Sequence, residues 1–258
     1  MTDADNLMDF AARTLRAAGE LTLAHFRTAA VEWKSDGSEV TAADRAAEEH
    51  IRAAIANVFP DDGILGEEGE DRPSRSGRRW VIDPIDGTRS FASGVPLYSM
   101  LLTLESGGVP VLGCVHVPVQ NETLVASTGA GAWVNGARAR VSECDDLGAA
   151  RLVTSGLEYW RDDSTDAHRA GFERLVKATR FARTWGDGFG YLLVATGRAD
   201  LICEPVCGAA WDIAPFGVIF SEAGGRFTQF DGTPVVPWST SLAANPVLSG
   251  AARRVLGY

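Results

Sequence analysis

The sequence predicts a layered α/β or α+β sandwich, and three observations support this fold class. Two amphipathic helices open the chain, strands with alternating apolar residues follow, and helices and strands alternate over the second half. Apolar residues make up 45% of the 258 residues, which suits a globular core and excludes a disordered or collagen-like chain. We expect one domain over residues 1–258, with an N-terminal α+β half over about 1–145 and a C-terminal α/β half over about 146–258.

The first two elements are predicted to be helices. Apolar side chains recur at helical spacing from Leu7, and the stripe ends near His25. Thr41 is a suitable N-cap for the second helix, and Asp44 follows it in the position of a capping box. The apolar face of this helix continues to Val58.

The period of the apolar residues then changes to two, which predicts an antiparallel sheet. Strands are predicted at residues 63–65, 80–82, 97–105, 109–117, 122–127 and 132–134. Residues 106–108 mark one hairpin turn and residues 135–136 mark another. The strand at 80–82 is expected to stop at Asp83 and Pro84, because proline cannot continue a central strand.

Strands and helices alternate in the second half. Strands are predicted at 151–154, near Phe181, at 199–203 and near Phe227, and helices at 167–178, 187–195, 212–223 and the C-terminus. Gly224 and Gly225 are a C-cap signal for the helix at 212–223. Pro215 is expected within the first turn of that helix, where its missing N–H is tolerated.

Charge and composition exclude several classes of partner. The chain has 34 acidic and 24 basic residues, a formal charge of −10, and only two lysines, Lys34 and Lys177. Without a basic run, we expect neither nucleic acid nor an anionic membrane as a partner. No stretch approaches the roughly 18 apolar residues of a membrane span. The acidic start lacks the features of a signal peptide, so we expect a cytoplasmic protein.

The cysteines predict no disulfide framework in a chain of this length. They are Cys114, Cys144, Cys203 and Cys207. The last two have the spacing C-x3-C, which leaves zinc binding open as an alternative. Buried free thiols are the simpler interpretation.

The segment at residues 83–88, Asp-Pro-Ile-Asp-Gly-Thr, carries the strongest chemical signal. A turn at the end of a strand can direct Asp83 and Asp86 to one point, while Gly87 and Thr88 offer backbone N–H groups to a phosphate. Carboxylates beside a phosphate need a cation between them, and oxygen ligands without nearby His or Cys favour Mg²⁺ over Zn²⁺. A purely structural polar turn is the alternative interpretation of these six residues.

Two further acidic positions favour the chemical interpretation. Glu67 and Glu68 follow the short strand at 63–65, which delivers carboxylates at its end. Glu68 is interpreted as a solvated neighbour of Glu67. Asp212 follows Trp211 where a helix is expected to begin, and a role as helix N-cap is the structural alternative for it.

These stretches together resemble the inositol monophosphatase-like family of Mg²⁺-dependent phosphatases, most of all its histidinol-phosphate phosphatase subgroup. The matching segments are 66–68 (Gly-Glu-Glu), 83–88, 211–225 and, more weakly, 34–44. The resemblance covers nearly the whole chain. It implies an αβαβα sandwich of the inositol monophosphatase and fructose-1,6-bisphosphatase type, and a homodimer.

The resemblance also implies the site. The implied metal ligands are the carboxylates of Glu67, Asp83, Asp86 and Asp212 and the carbonyl of Ile85, with two or three Mg²⁺ ions per site. Gly87 and Thr88 would hold the phosphate. Glu67, and Thr88 paired with Asp44, would orient and activate a metal-bound water for direct in-line attack. Lys34 lies where the family has a basic residue near the site.

Three positions bear on the substrate. Ser90, where inositol phosphatases usually carry Asn, resembles the histidinol-phosphate subgroup, and so does the segment at 186–191 that contains Asp187. A carboxylate at Asp187 suits the ammonium and imidazole of histidinol, and the alternative role for Asp187 is a helix N-cap. Glu204 is also expected to contact the substrate, although one extra residue before Trp211 leaves its register open.

The sequence therefore predicts a phosphomonoesterase that hydrolyses L-histidinol phosphate to L-histidinol and phosphate in histidine biosynthesis. The same chemistry on inositol 1-phosphate, or on another small sugar or nucleotide phosphate, is the main alternative. A non-catalytic relative that binds a protein partner is disfavoured, because every implied ligand is present. The spacing D-x-x-D also disfavours the haloacid-dehalogenase type of phosphatase, which needs D-x-D.

Overall fold

The computed structural model describes residues 2–28, 30–33 and 39–258, and nine α-helices form within these ranges. They are α1 Asp3–His25, α2 Ala42–Val58, α3 Thr88–Ala92, α4 Leu157–Asp162, α5 Asp166–Ala178, α6 Asp187–Ala195, α7 Ala210–Ile213, α8 Phe216–Ala223 and α9 Pro246–Leu256. The capping box predicted for α2 is confirmed, since the Thr41 amide donates to Asp44 Oδ2 at 2.8 Å and the Thr41 hydroxyl accepts from Ala43.

Three sheets form in the same part of the chain. A two-stranded ribbon joins β1 Val31–Trp33 to β2 Glu39–Thr41. The larger sheet has the order β3-β4-β5-β6-β7-β8-β9, with β3 Gly63–Gly66, β4 Arg78–Asp86, β5 Ser99–Ser106, β6 Val109–Val117, β7 Glu122–Ser127, β8 Gly131–Val134 and β9 Ala137–Arg138. The smaller sheet has the order β11-β10-β12-β14-β13, with β10 Arg151–Val153, β11 Phe181–Arg183, β12 Leu201–Glu204, β13 Arg226–Thr228 and β14 Ser241–Ala244.

The helices and the two large sheets stack as an αβαβα sandwich, which confirms the predicted fold. Helices α1 and α2 bury Leu15 and Ile51 against one face of the larger sheet, where Trp80 and Ile82 lie. Helices α6 and α8 fill the space between the two sheets, and α5 and α9 cover the outer face of the smaller sheet. Burial of these apolar faces, at about 25 cal/mol per Å², is the main force that holds the layers together.

The period-two pattern of the smaller sheet explains how it packs on both faces. Ile202 of β12 and Ala243 of β14 face the central helices, whereas their neighbours Leu201, Cys203 and Leu242 face the outer helices. All of these residues are buried, because a sheet between two helical layers has no solvent face.

The strand predicted to stop at Asp83 and Pro84 continues as β4 to Asp86, so that prediction is wrong. Asp83 lies opposite Leu101 and Asp86 lies opposite Ser99, so β4 has one more residue than β5 between the two pairs. This is a β-bulge, and Pro84 is tolerated in it because the bulged residues do not need a ladder N–H.

The helix predicted at 212–223 is two helices, α7 and α8. Pro215 is the N-cap of α8 with φ −71° and ψ −25°. Since proline has no N–H to continue the hydrogen bonds of α7, the chain starts a new helix at this residue. Sequence patterns also did not identify β1, β2, β9 and β14, which are two to four residues long, nor α4.

The cysteines are free thiols, as predicted. Within the described ranges, the groups of side chains that are placed to hold a metal ion include no cysteine. No helix in this part of the chain is both long and apolar enough to cross a membrane.

Candidate active site

Three carboxyl groups converge where the bulge of β4 meets α7. Asp83 and Asp86 flank the bulge, and Asp212 lies in α7. One carboxylate oxygen of each lies within 4.8 Å of those of the other two. Asp83 and Asp86 are only 1% and 8% exposed. Three acidic side chains this close together, two of them buried, require a compensating proton or cation.

Backbone and hydroxyl donors fix the two carboxylates of β4. The Ile85 amide donates to Asp83 Oδ1 at 3.0 Å, which closes a tight turn inside the bulge. The Ser99 hydroxyl donates to Asp86 Oδ2 at 2.6 Å, and the Gly188 amide donates to the same oxygen at 2.5 Å. The orientation of Asp86 is therefore set jointly by β5 and by the start of α6.

Asp212 is the third residue of α7, so the alternative interpretation of Asp212 as the N-cap of this helix is wrong. The N-cap is Ala209, whose amide donates to Asp212 Oδ2 at 2.5 Å. Gly208 precedes it with φ +75°, and a Cβ at Gly208 would lie 2.5 Å from the same carboxylate oxygen. The close approach of the chain to Asp212 therefore requires a glycine at this position.

Burial and mutual repulsion raise the pKa of all three carboxyl groups. Burial is the larger cause for Asp83 and Asp86, whose pKa values lie well above the usual range, and the charge of Glu67 raises that of Asp83 further. Burial raises the pKa of Asp212 to about 7, with added repulsion from Glu67 and Asp187. A cluster of this kind binds protons when no metal is present and releases them to a metal.

The donor set fits a hard divalent cation. The converging ligand atoms are carboxylate oxygens of Asp83, Asp86 and Asp212, the type that Mg²⁺ and Ca²⁺ prefer. Asp44 is fully buried nearby, its charge also raises the pKa of Asp83, and its Oδ1 has no hydrogen-bond partner. A buried carboxylate oxygen without a donor is costly, and a hydrated cation beside it would supply the missing partner.

The expected pairing of Thr88 with Asp44 is not formed. The Thr88 hydroxyl donates instead to the Ile85 carbonyl at 3.1 Å, because the first turn of α3 brings it back over that residue. Asp44 uses Oδ2 for the capping box of α2, where it accepts from the Thr41 hydroxyl at 2.6 Å. The Ile85 carbonyl, implied as a metal ligand, is thus in contact with Thr88.

A buried glutamate holds the loop that carries Glu67. Glu48 of α2 is 2% exposed and accepts hydrogen bonds from the amides of Glu68 at 2.8 Å and Gly69 at 2.9 Å. Arg52 forms an ion pair with the same carboxylate at 2.6 Å. Glu48 thereby fixes the backbone immediately after Glu67, a role that sequence patterns did not reveal.

A cavity of about 320 Å³ opens beside the carboxylate cluster. The predicted site residues that line it are Glu67, Asp86, Gly87, Thr88, Asp187, Glu204 and Asp212. Lining residues that the sequence did not indicate include Trp33, Arg89, Ser155, Tyr159, Cys207 and Trp238. These six lie in short elements and loops without a repeating pattern. The tryptophans, as large aromatic residues outside the apolar stripes, could have given a signal.

Ser155 connects the carboxyl group of Glu204 to the backbone of Asp187, the two acidic residues expected to contact the substrate. Its amide and hydroxyl donate to Glu204 Oε1 at 2.7 and 2.9 Å, and its hydroxyl accepts from the Asp187 amide at 2.9 Å. The Thr154 hydroxyl donates to Glu204 Oε2 at 3.2 Å. Burial raises the pKa of Glu204 to about 8. The hydrogen bonds from Ser155 lower this pKa, and repulsion from Asp187 raises it. Burial also raises the pKa of Asp187.

Asp187 does not cap α6, so the structural alternative for it is wrong. The N-cap is Gly186, and Asp187 is the first helical residue, with φ +54°. A left-handed conformation is uncommon outside glycine, and such strain concentrates at functional sites. A Cβ at Gly87 would lie 3.1 Å from Asp187 Oδ2, so the absence of a side chain at Gly87 allows the two segments to meet.

One predicted substrate contact, Ser90, does not line this cavity. Ser90 lies in α3 two residues after Thr88, and at about 100° per residue it faces away from the side of the helix that Thr88 presents to the cavity. Lys34 lies outside the described residues.

Known proteins share this layered fold or a large part of this sequence. The extragenic suppressor protein suhB from Bartonella henselae superposes with a TM-score of 0.89 at 25% identity, over 98% of each chain. The "Histidinol-phosphatase" of Chlorobaculum parvum is 40% identical over 237 residues, 88% of this chain and 90% of that protein. A "Fructose-1,6-bisphosphatase/inositol-1-monophosphatase" of Thermotoga maritima is 39% identical over 228 residues, 87% and 85% of the two chains.

The class defined by this fold and site is that of the metal-dependent phosphatases, which act on small phosphorylated substrates. The model of the inositol monophosphatase family matches residues 3–256, and the chain belongs to that family.

Proposed function

We propose that this chain is a Mg²⁺-dependent phosphomonoesterase that hydrolyses L-histidinol phosphate to L-histidinol and phosphate. This choice of ester rests on a second acidic pair, Asp187 and Glu204. Ser155 contacts both residues, and the pair lines the same cavity as Asp86 and Asp212 of the first acidic cluster. A leaving group with an ammonium and an imidazole suits two carboxyl groups in one cavity better than uncharged hydroxyls do. Relatives named histidinol-phosphatase, at 36–40% identity, support the same choice.

The first acidic cluster is proposed as the metal site. Glu67, Asp83, Asp86 and Asp212, with the Ile85 carbonyl, would hold two or three Mg²⁺ ions. When bound, these ions supply an activated water and neutralise the phosphate and the leaving oxygen. Gly87 and Thr88 line the cavity beside Asp86 and are proposed to hold the phosphate oxygens.

The protein's own side chains position the other end of the ester. Glu204 is 3% exposed and is fixed by three donors, so it offers its charge in one orientation. An ammonium placed beside Glu204 and Asp187 lowers the pKa of both carboxyl groups, since each then has a counter-ion. Binding of the cationic leaving group should therefore release protons near neutral pH.

Phosphate release from a panel of esters tests the proposal. The panel is L-histidinol phosphate, inositol 1-phosphate, fructose 1,6-bisphosphate and 3′-phosphoadenosine 5′-phosphate, each with and without Mg²⁺. We expect L-histidinol phosphate to have the highest kcat/KM and to require the metal. A higher kcat/KM for any other ester would refute the assignment of the substrate, and full activity in EDTA would refute that of the metal.

Inositol 1-phosphate is the second candidate substrate. The observation in its favour is the Thermotoga maritima relative, which is 39% identical and whose name includes inositol-1-monophosphatase. Asp187→Asn separates the two, because the lost charge should lower kcat/KM for L-histidinol phosphate by about tenfold or more and change that for inositol 1-phosphate much less.

Three further expectations stay proposals. They are a single domain with halves that meet near residue 145, a homodimer, and a cytoplasmic location. The change from the larger to the smaller sheet between β9 and β10 supports the first of them.

A further inference from the structure

Two tryptophans line the mouth of the active-site cavity and are largely exposed. Trp33 at the end of β1 is 69% exposed, and Trp238 in the loop before β14 is 70% exposed. A tryptophan normally buries its large apolar surface in the core or in an interface. Two such side chains at one cavity therefore indicate a binding role.

The backbone holds Trp238 in place at an energetic cost. Trp238 has φ +64°, a conformation that is a genuine outlier for a bulky side chain. Its amide donates to the Gly208 carbonyl at 2.7 Å, and the Cys207 amide donates to the Ser239 carbonyl at 2.9 Å. These two bonds tie the loop of Trp238 to the segment that leads into Asp212. The strained conformation is thus anchored to the backbone four residues before Asp212.

The charge of the cavity indicates what the indole rings would bind. Besides the proposed metal ligands Glu67, Asp86 and Asp212, its acidic lining residues are Asp187 and Glu204. One lining residue carries a guanidinium, Arg89, and it forms an ion pair with Glu158 at 2.8 Å. Carboxylates at the base and aromatic faces at the mouth favour an organic cation, because a tryptophan ring attracts positive charge to its face.

We propose that Trp33 and Trp238 form an aromatic wall that binds the planar ring of the cationic leaving group. With the phosphate at the Asp83, Asp86 and Asp212 cluster, the ester extends towards the mouth of the cavity, where the two indoles lie. The wall then selects esters whose alcohol carries a nitrogen heterocycle over ringless amines. The identity of the ring as imidazole rests on the proposed function.

A matched pair of substrates tests the wall. L-Histidinol phosphate and O-phosphoethanolamine both carry a phosphate and an ammonium, and only the first has a ring. The measured quantity is kcat/KM for L-histidinol phosphate divided by kcat/KM for O-phosphoethanolamine. In Trp238→Ala this ratio should fall by about three- to thirtyfold, and in Trp33→Ala it should also fall. Val236→Ala is the control, since Val236 is 51% exposed in the same loop and does not line the cavity.

Binding without turnover gives the second measurement. Titration of the wild-type protein with L-histidinol should change the tryptophan fluorescence, and Trp238→Ala should weaken the affinity and reduce the signal. Three results would each contradict the proposed aromatic wall. They are an unchanged kcat/KM ratio in both tryptophan variants, an equal fall of this ratio in Val236→Ala, and no fluorescence response in the wild type. Failure of the wild type to hydrolyse L-histidinol phosphate would refute the proposed function alone, because the titration still decides whether the indoles bind the ring.

Discussion

The amide of Gly188 donates to Asp86 Oδ2 at 2.5 Å and thereby joins the start of α6 to the end of β4. Asp86 belongs to the larger sheet, and α6 is a helix of the central layer. A Cβ at Gly188 would lie 2.6 Å from the same oxygen, so only glycine allows this contact. Asp86, a proposed metal ligand, is therefore oriented by a residue 102 positions away in the chain.

Removal of the second donor to Asp86 tests whether this orientation matters for the metal. In Ser99→Ala the 2.6 Å hydrogen bond is lost, and of the two donors to Asp86 Oδ2 only the Gly188 amide remains. The apparent affinity for Mg²⁺ should fall by about 10- to 100-fold, the usual effect of removing a supporting hydrogen bond at a metal site. The expected loss in the free energy of unfolding is only about 1–2 kcal/mol.

Thr103→Val is the matched control for this variant. Thr103 is fully buried on the same strand, β5, and its hydroxyl has no hydrogen-bond partner. Loss of that hydroxyl should leave the Mg²⁺ dependence of activity unchanged. A similar loss of Mg²⁺ affinity in both variants would mean that β5 acts through packing and not through Asp86.

Glu48 is expected to act on the metal site through the loop of Glu67. Glu48→Ala removes the acceptor of the Glu68 and Gly69 amides and the partner of Arg52. The Mg²⁺ concentration needed for half-maximal activity should rise by about tenfold or more, while kcat at saturating Mg²⁺ falls less. The control is Glu49→Ala, an exposed acidic residue of the same helix. Equal shifts in the two variants would contradict a role for the loop.

The sequence predicted the layers well and their junctions poorly. Long amphipathic elements such as α1, α2, β5 and β6 are determined by their own patterns of apolar residues, which fix both the type of element and its buried face. Short strands such as β14 carry no such pattern and exist because neighbouring strands complete their hydrogen bonds. The bulge at Pro84 likewise depends on the pairing of β4 with β5, which a single strand cannot reveal.

The same distinction applies to the site. Asp83 and Asp86 share one segment, so their spacing already indicated a cation site. The hydroxyl of Ser155 connects Asp187 to Glu204 only because β10 and β12 lie side by side in the sheet. Trp238 reaches the cavity through a left-handed conformation that no local pattern specifies. The resemblance did imply that Asp212 joins Asp83 and Asp86, but the contacts of Ser155 and Trp238 across the fold were not predicted.

Loss of one charge in the acidic cluster should separate activity from folding. In Asp83→Asn the repulsion from Glu67, Asp86 and Asp212 that raises the pKa of Asp83 is removed. The metal-free variant should be at least as stable as the wild type, as measured by Tm in EDTA at pH 8. Turnover should be lost, and so should the rise in Tm on addition of Mg²⁺.

Asp145→Asn is the control, because it removes one exposed carboxylate away from the cluster and should keep both turnover and the rise in Tm. Retained activity in Asp83→Asn would contradict the proposed role of Asp83 as a metal ligand. A large loss of Tm in EDTA would show instead that Asp83 stabilises the fold.

The raised pKa values predict how the stability of the metal-free protein depends on pH. The folded protein holds protons on Asp83, on Asp86 and on Asp212, whose pKa is about 7, whereas the unfolded chain releases them near pH 4. The stability linked to these protons is fully present below about pH 4 and is lost as the pH rises through about 7. The free energy of unfolding in EDTA, measured with urea, should therefore fall between pH 5 and pH 8. Saturating Mg²⁺ should restore it at pH 8, and a stability in EDTA that rises over this range would contradict the buried, protonated cluster.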